Sequence, residues 1–130
     1  MRAEPLRILI VDDHEDSAEM LSMLLSGKGH TTRMALDGAT ALEVAVTFQP
    51  HIGLLDLSLP GMNGYELAER LRAVPGLTEI HLVAVTGHGS EAHRAKARAA
   101  GFHAHLLKPV DLQVVDDFLE SVRRALDRVR

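Results

Sequence analysis

Residues 8–13 read ILIVDD, four branched apolar residues followed by two aspartates. Short apolar runs bounded by charged or turn residues are typical of strands buried on both faces of a parallel sheet. The pattern recurs as IGLL at 52–55 and LVAV at 82–85, and weaker strands are predicted at 31–35 and 104–107. The stretch at 8–13 therefore predicts the first strand of a parallel sheet, with an acidic pair at its carboxyl end.

Stretches with helical periodicity separate the predicted strands. The apolar stripe of the first helix comprises Ala18, Leu21, Leu24 and Leu25, and Gly27 and Gly29 are expected to end it. Further helices are predicted over 38–48 with an Asp37 N-cap, over 65–73, over 90–100, and from an Asp111 cap to Leu126. Strict alternation of five strands with five helices predicts the α/β class, as a doubly wound parallel sheet with right-handed crossovers.

Composition limits the class of protein. The 130 residues fit one domain over 1–130 with a core at about 7–126, and no linker or repeat divides them. The formal charge of −4 and the 3% aromatic content argue against a nucleic-acid surface. The apolar runs are too short to span a membrane, and the polar start is not a secretory signal. We therefore expect a cytoplasmic domain; without cysteine it has no thiolate nucleophile.

Polar residues follow the predicted strands where functional groups gather in an open parallel sheet, at the carboxyl ends. They are Asp12-Asp13, Asp56, Thr86 and Lys108-Pro109. Three carboxylates on one edge would repel one another and should bind a hard cation such as Mg²⁺. The turn-rich loop after Asp56 would leave its carboxylate accessible as a nucleophile. Each feature alone also has an ordinary explanation: a helix cap, a strand-end hydroxyl or a surface lysine.

Taken together, Asp12-Asp13, Asp56 with LPGMNG at 59–64, Thr86-Gly87 and Lys108-Pro109 resemble the receiver domain of two-component response regulators. The resemblance covers nearly the whole chain. It implies a flavodoxin-like fold with strand order 2-1-3-4-5. It also implies that Asp56 takes a phosphoryl group from a phosphohistidine on a sensor histidine kinase or histidine phosphotransfer protein.

The same resemblance implies a role for each residue at this edge. Mg²⁺ would be ligated by Asp13, Asp56 and the backbone carbonyl of Ser58 directly, and by Asp12 through water. Thr86 and Lys108 would hold the phosphoryl oxygens, and the Lys108–Pro109 peptide bond would be cis. Phosphoryl transfer depends mainly on positioning and charge neutralisation, so these groups suffice without a general base.

Three alternatives can be compared with this interpretation. A haloacid-dehalogenase phosphatase needs a second acid two residues after its nucleophile, where this chain has Ser58. We therefore expect self-phosphorylation and dephosphorylation rather than enzymatic turnover. A flavin-nucleotide site needs a phosphate loop where Asp12-Asp13 would repel phosphate. A receiver that has lost phosphoacceptor activity is disfavoured because all five chemical positions are present.

The output of a receiver is a change of surface around helix 4, strand 5 and helix 5. Between Gly87 and Gly101 no apolar residue is larger than alanine, so the fourth helix should be weakly anchored. Thr86 and His105 are the expected switch residues. The family usually has Tyr or Phe at the position of His105, so imidazole puts the usual aromatic switching in doubt and predicts pH dependence. An ordinary strand-end histidine is the alternative.

Met20 and Met23 fall off the apolar stripe of the first helix and are candidate docking residues for the phosphodonor, with looser packing as the alternative. The other histidines are expected to be mostly solvated and to form no zinc site; they are residues 14, 30, 51, 81, 88, 93 and 103. A stand-alone receiver and the receiver portion of a hybrid sensor kinase both fit the sequence, and the downstream target is not indicated.

Overall fold

The computed structural model describes residues 5–87 and 91–129, which form one parallel sheet between two helical layers. The strands are β1 Arg7–Val11, β2 Thr31–Ala35, β3 Ile52–Asp56, β4 His81–Thr86 and β5 Ala104–Leu107. The helices are α1 Glu15–Gly27, α2 Gly38–Phe48, α3 Gly64–Arg72, α4 Glu91–Ala99 and α5 Leu112–Val129. All pairings are parallel in the order β2-β1-β3-β4-β5, which confirms the predicted fold class and strand order.

Alternate residues of each strand face opposite layers, as the pleat of a strand requires. Leu9 and Val11 of β1 pack in the cluster that α2, α3 and Ala97 of α4 cover. Ile8 and Ile10 pack in the cluster that α1 and α5 cover. Every residue of β3 is buried, so the strand that ends in Asp56 is the most enclosed of the predicted ones.

Local signals set most helix boundaries where they were predicted. The side chain of Asp37 accepts the amide of Thr40 at 2.7 Å and starts α2. Helix α3 begins at Gly64, one residue before the predicted start, because the side chain of Asn63 accepts the amide of Glu66. Helix α4 is described from Glu91; the predicted start at Ser90 lies outside the described residues.

The prediction that Leu24 belongs to the apolar stripe of α1 is wrong. Ala18 and Leu25 are buried, but Leu24 is 41% exposed. Leu24 lies about 100° around the helix from Leu25, so a stripe centred on Ala18 and Leu25 leaves it on the flank. Met20 and Met23 are exposed, as their spacing predicts.

The two layers are anchored unequally. Helix α5 buries Val115, Leu119 and Val122, at roughly 1.5–3 kcal/mol for each fully buried aliphatic side chain. Among the α4 side chains that the structure describes, only Ala97 is buried. Helix α4 is also held by the Lys96 ammonium, 4.5 Å from the centre of the Tyr65 ring on α3. No helix in residues 5–87 and 91–129 has the length and apolar character of a membrane span.

Gly64 allows α3 to start directly against the end of β3. A Cβ atom at Gly64 would lie 2.7 Å from the carbonyl oxygen of Asp56 and 2.8 Å from the Cα of Leu57. Both are backbone atoms, so the strand end carrying Asp56 would have to move. We expect Gly64→Ala to lower the free energy of unfolding by about 1–3 kcal/mol, as overpacking does.

The matched control is Gly27→Ala at the end of α1, where a Cβ would meet nothing within 4 Å. We expect a change of at most about 1 kcal/mol there, in the stabilising direction, because alanine restricts the unfolded chain and favours helix. Urea unfolding of both variants measures the difference. Equal stability of the two alanine variants would show that the close approach at Gly64 is not a constraint.

Candidate functional site

The carboxyl ends of the strands bring the predicted polar residues together. Val11 pairs with Leu55 in register, so the residues that come next, Asp12 and Asp56, lie side by side at the ends of neighbouring strands. Thr86 ends β4 and pairs with Leu107, which places Lys108 directly beyond the end of β5. The amide of Lys108 donates to the carbonyl of Thr86 at 2.9 Å, which fixes the start of the loop after β5.

Carboxylates cluster at this edge. Ligand atoms of Asp12, Asp13, His14 and Asp56 all lie within 4.8 Å of one another. Asp12 and Asp56 are buried, whereas Asp13 is exposed. Two buried like charges at that separation repel by roughly 3 kcal/mol at an effective dielectric constant of about 20. The cluster therefore needs positive charge.

Lys108 supplies part of that charge. Its Nζ lies 2.8 Å from Oδ2 of Asp56 and 3.4 Å from Oδ2 of Asp12. Burial lowers the pKa of the Lys108 amine, but the hydrogen bond and charge of Asp56, together with Asp12, outweigh it and raise the pKa above its usual value. The ammonium is therefore stably charged. The Lys108–Pro109 peptide bond is cis, as the family resemblance implied.

The carboxylate of Asp56 is held at both oxygens. Oδ1 accepts the amide of Ser58 at 2.9 Å, and Oδ2 accepts from Lys108. Asp56 itself is only 4% exposed, so its carboxylate is more enclosed than the loop sequence predicts, although the neighbouring Ser58 is exposed. A carboxylate fixed in orientation at the end of a strand is suited to nucleophilic attack.

His14 is a member of the cluster that sequence reasoning did not assign to the site. Its Nδ1 lies 3.4 Å from Oδ1 of Asp12 and 3.3 Å from Oδ1 of Asp13. Its backbone amide also donates to Oδ1 of Asp12 at 2.9 Å. Direct adjacency to the acidic pair was the available signal.

The donor set fits a hard divalent cation. Three carboxylates and one ammonium leave a formal charge of −2 at the cluster. Carboxylate and carbonyl oxygens are the ligands that Mg²⁺ uses, whereas a softer metal would be favoured by several nitrogen or sulfur donors. His14 is the one nitrogen donor in the cluster.

Thr86 connects the cluster with α4. Its side chain is 2% exposed and lines a cavity of about 370 Å³. The other lining residues are Leu57, Ser58, Tyr65, Ala92, His93 and Lys96. A displacement of Thr86 toward the cluster would therefore change the packing beneath α4.

His105 lies on the other side of α4, half-buried on β5, and lines a cavity of about 210 Å³ together with Arg94 and Arg98. Both of its ring nitrogens are buried and have no hydrogen-bond partner within the part of the chain that the structure describes. Burial lowers the pKa of His105, and the charges of Arg94 and His93 lower it further. The structure thus places the imidazole nitrogens of His105 in the interior, beside α4.

The two candidate docking residues separate in the structure. Met20 is 65% exposed and lines a groove of about 560 Å³ between α1 and the start of α5. Met23 is 74% exposed and is not among the lining residues. The groove is also lined by Asp12, Ser17, Leu21, Leu24, Val85, Lys108, Pro109, Val110 and Leu112. Leu24, misassigned to the core, contributes to this groove instead.

The contact between Lys108 and Asp56 can be measured by a double-mutant cycle. We expect Lys108→Met and Asp56→Asn to couple by about 1.5–3 kcal/mol, because the bond is charge-assisted and partly buried. The control pair, Arg70 and Glu66, is bonded at 3.0 Å but exposed and should couple by about 0.3–0.5 kcal/mol. Urea unfolding in the presence of a chelator gives both values. Equal coupling energies in the two cycles would show that the contact between Lys108 and Asp56 is no stronger than an exposed ion pair.

Comparison with known proteins agrees with this fold. Residues 8–120 match the response regulator receiver domain family. The DNA-binding response regulator MtrA of Mycolicibacterium smegmatis is 45% identical over 80 residues, 62% of this chain and 35% of MtrA. The response regulator PleD of Caulobacter vibrioides is 34% identical over 105 residues, 81% of this chain and 23% of PleD.

The chain thus spans about a third of the length of MtrA and less of PleD. Among solved structures, the CheY-like response regulator receiver domain protein of Methanospirillum hungatei superposes with a TM-score of 0.80 at 28% identity, covering 96% of each chain. With the family match extending over most of the sequence, the chain belongs to the response regulator receiver domains of two-component signal transduction.

Proposed function

We propose that this domain is the phosphoacceptor of a two-component phosphorelay, with Asp56 as the residue that is phosphorylated. The observation that carries the proposal is the fixed, buried carboxylate of Asp56, bonded at 2.8 Å to Lys108 within an acidic cluster. The donor is a phosphohistidine on a sensor histidine kinase or a histidine phosphotransfer protein.

In the reaction, a carboxylate oxygen of Asp56 attacks phosphorus and forms an acyl phosphate. The P–N bond of the donor breaks, and its electron pair returns to the imidazole nitrogen. The Lys108 ammonium neutralises charge on the phosphoryl oxygens, and the hydroxyl of Thr86 donates to one of them. No proton needs to be removed from the Asp56 carboxylate, so no general base is required.

Mg²⁺ is the cation that we propose for the cluster. Asp13, Asp56 and the backbone carbonyl of Ser58 would hold it directly, and Asp12 through water. When bound, it supplies Lewis-acid stabilisation of the phosphoryl oxygens. The donor set supports this choice, because hard oxygen atoms dominate it and its formal charge is −2.

We also propose that the domain is not a turnover enzyme. A phosphatase of the aspartyl-nucleophile class places an acid two residues after its nucleophile, and this chain has the exposed Ser58 there. A serine hydroxyl is too weak an acid to protonate a leaving group at neutral pH. We therefore expect the domain to phosphorylate and dephosphorylate itself without turning over a separate substrate.

Acetyl phosphate tests the phosphoacceptor. With Mg²⁺, the native chain should gain one phosphoryl group by intact-mass spectrometry, and a chelator should abolish the gain. Asp56→Asn should gain none, whereas Asp117→Asn, an exposed aspartate of α5, should behave as the native chain does. Labelling of Asp56→Asn, or none of the native chain, would overturn the proposal.

The output surface that we propose is α4 with β5 and α5. Helix α4 buries only Ala97 among its described side chains, so its displacement costs little apolar contact. Thr86 lines the cavity beneath α4, and His105 has space on its other side. Phosphorylation should draw Thr86 toward the new phosphoryl group and let His105 and α4 move.

The same acetyl phosphate samples report on this switch. Amide exchange in α4 should change on phosphorylation more than exchange in α1, and the ring signals of His105 should shift. Unchanged amide exchange and unchanged His105 ring signals in fully phosphorylated protein would reject the proposed output surface and leave the phosphoacceptor proposal intact.

We propose that the groove between α1 and the start of α5 docks the protein phosphodonor. It contains Met20 and Leu24, both exposed and apolar, and it reaches Asp12 and Lys108 at the site. A donor helix seated there would bring its phosphohistidine to the acidic cluster. Met23 lies on the same helix outside the groove and is the weaker candidate.

Docking predicts different responses to large and small donors. The donor is a phosphohistidine protein that phosphorylates the native chain. Met20→Glu should slow phosphotransfer from it by at least tenfold, about 1.4 kcal/mol, because the glutamate places a charge in an apolar contact. Phosphorylation by acetyl phosphate should be unchanged, since acetyl phosphate needs no groove. Val46→Glu, at an exposed apolar position on α2, is the control and should affect neither. Equal transfer to Met20→Glu and native protein would reject the groove.

A further inference from the structure

Histidines mark the amino-terminal edge of the sheet, opposite the acidic cluster. His30 and His51 directly precede β2 and β3, His81 begins β4, and His103 directly precedes β5. We refer to these four residues as the edge histidines. The sequence predicted that most of the histidines other than His105 are solvated: His14, His93 and His103 are exposed, whereas His30, His51 and His81 are half-buried, and His88 lies outside the described residues.

Three of the edge histidines accept hydrogen bonds from the backbone of a neighbouring strand. Nδ1 of His51 accepts the amide of Arg7 at 2.9 Å, and Nδ1 of His103 accepts the amide of Leu82 at 3.2 Å. Nδ1 of His30 accepts the amide of Leu6 at 3.4 Å.

Two of these bonds are reciprocal. The amide of His51 donates to the carbonyl of Arg7 at 2.9 Å, and the amide of His103 donates to the carbonyl of Leu82 at 2.7 Å. Each imidazole Nδ1 therefore accepts the strand amide in the position that the carbonyl of one more paired residue would occupy. It completes the backbone hydrogen bonding at the point where strand pairing ends. The amides of Arg7 and Leu82 would otherwise lack an acceptor from the adjoining strand.

Only a neutral imidazole can make these bonds. With the proton on Nε2, Nδ1 is an acceptor, whereas the imidazolium ion presents an N–H at both ring positions. Protonation would direct one N–H against another and leave a strand amide unpaired. An unpaired amide at a partly buried position costs free energy.

The surrounding charges also oppose protonation. Burial lowers the pKa of His30, Arg123 and Lys28 lower it further, and Asp116 acts in the opposite direction. Burial likewise lowers the pKa of His103, helped by His81 and by Arg72 of α3, whereas hydrogen bonding with the backbone of Leu82 acts in the opposite direction. The pKa of His81 is lowered by burial and Arg72 against the raising effects of Glu79 and of the His51 backbone, and its ring lies 4.8 Å from that of His103.

His51 is bonded to β1 through Arg7. The amide of Arg7 donates to the imidazole, and its guanidinium Nε donates to the carbonyl of Gln49 at 2.8 Å. The bond to the amide requires a neutral His51, as the corresponding bonds require neutral His30 and His103.

We propose that the amino-terminal edge of the sheet is stabilised in a pH-dependent way. Neutral His30, His51 and His103 accept hydrogen bonds from the starts of β1 and β4, and acidification breaks these bonds. The direction of the effect follows from linkage. A histidine whose folded pKa is depressed binds fewer protons when folded, so its contribution to stability is complete above the unfolded pKa near 6.5 and is lost as pH falls below it.

Asparagine provides the decisive variant. Its Oδ1 is attached to Cγ as Nδ1 of histidine is, so it can accept the same amide without titrating. We expect the unfolding equilibrium constant of the native chain to rise by up to about fivefold per histidine between pH 6.5 and pH 5.5. The combined variant His30→Asn, His51→Asn and His103→Asn should lose most of that rise. His93→Asn, at an exposed position on α4, should retain it.

Nitrogen-15 spectra of the native chain provide a second test that needs no variant. At pH 7.5 the three imidazoles should show the Nε2–H tautomer with Nδ1 unprotonated. Between pH 6.5 and pH 5.5 the amides of Arg7 and Leu82 should lose exchange protection before the centre of β3 does. The Nδ1–H tautomer in these residues, or the same pH dependence of unfolding in the triple asparagine variant, would overturn the proposal.

Discussion

The contact of Lys108 with Asp56 and Asp12 is the interaction on which the site depends. Asp12 follows β1, Asp56 ends β3, and Lys108 follows β5, so the lysine reaches past the end of β4 to meet both carboxylates. In the strand order 2-1-3-4-5, β1, β3, β4 and β5 are successive neighbours, so their carboxyl ends lie side by side along one edge of the sheet. The fold therefore assembles, and partly neutralises, a set of charges that would repel one another.

Sequence reasoning succeeded where the cause is local. Strands at 31–35 and 104–107 and the helix at 38–48 lie where apolar runs and the Asp37 cap predict them. The positions of the candidate site residues could be predicted because a general rule places functional groups at the carboxyl ends of parallel strands. Asp12, Asp56, Thr86 and Lys108 all lie there.

Sequence reasoning failed where the cause is a tertiary neighbour. The exposure of Leu24 depends on the angle at which α1 sits on the sheet, which the stripe of leucines does not determine. The role of His51 depends on the amide of Arg7, 44 residues earlier in the chain. A single imidazole gives no periodic signal, so its acceptor function becomes visible only when the strands are paired.

The contrast between α4 and α5 links packing to signalling. Both helices pack near β5, yet α5 is held by buried aliphatic side chains, whereas the described side chains of α4 contribute one buried alanine and a cation over a ring. A signal of a few kilocalories per mole can displace only an element that is held by a comparable amount. The poor apolar content of residues 87–101 suits α4 to the output role that we propose for it.

The two edges of the sheet have opposite requirements because parallel strands have a direction. At the amino-terminal edge, strand amides project without acceptors, and neutral imidazoles satisfy them at Leu6, Arg7 and Leu82. At the carboxyl edge, carboxylates converge and require cations, which Lys108 supplies in part. Stability at the amino-terminal edge thus depends on imidazoles that are not protonated, and chemistry at the carboxyl edge depends on added positive charge. Both follow from the polarity of one parallel sheet, so the residue types at each edge are constrained even where they are far apart in the chain.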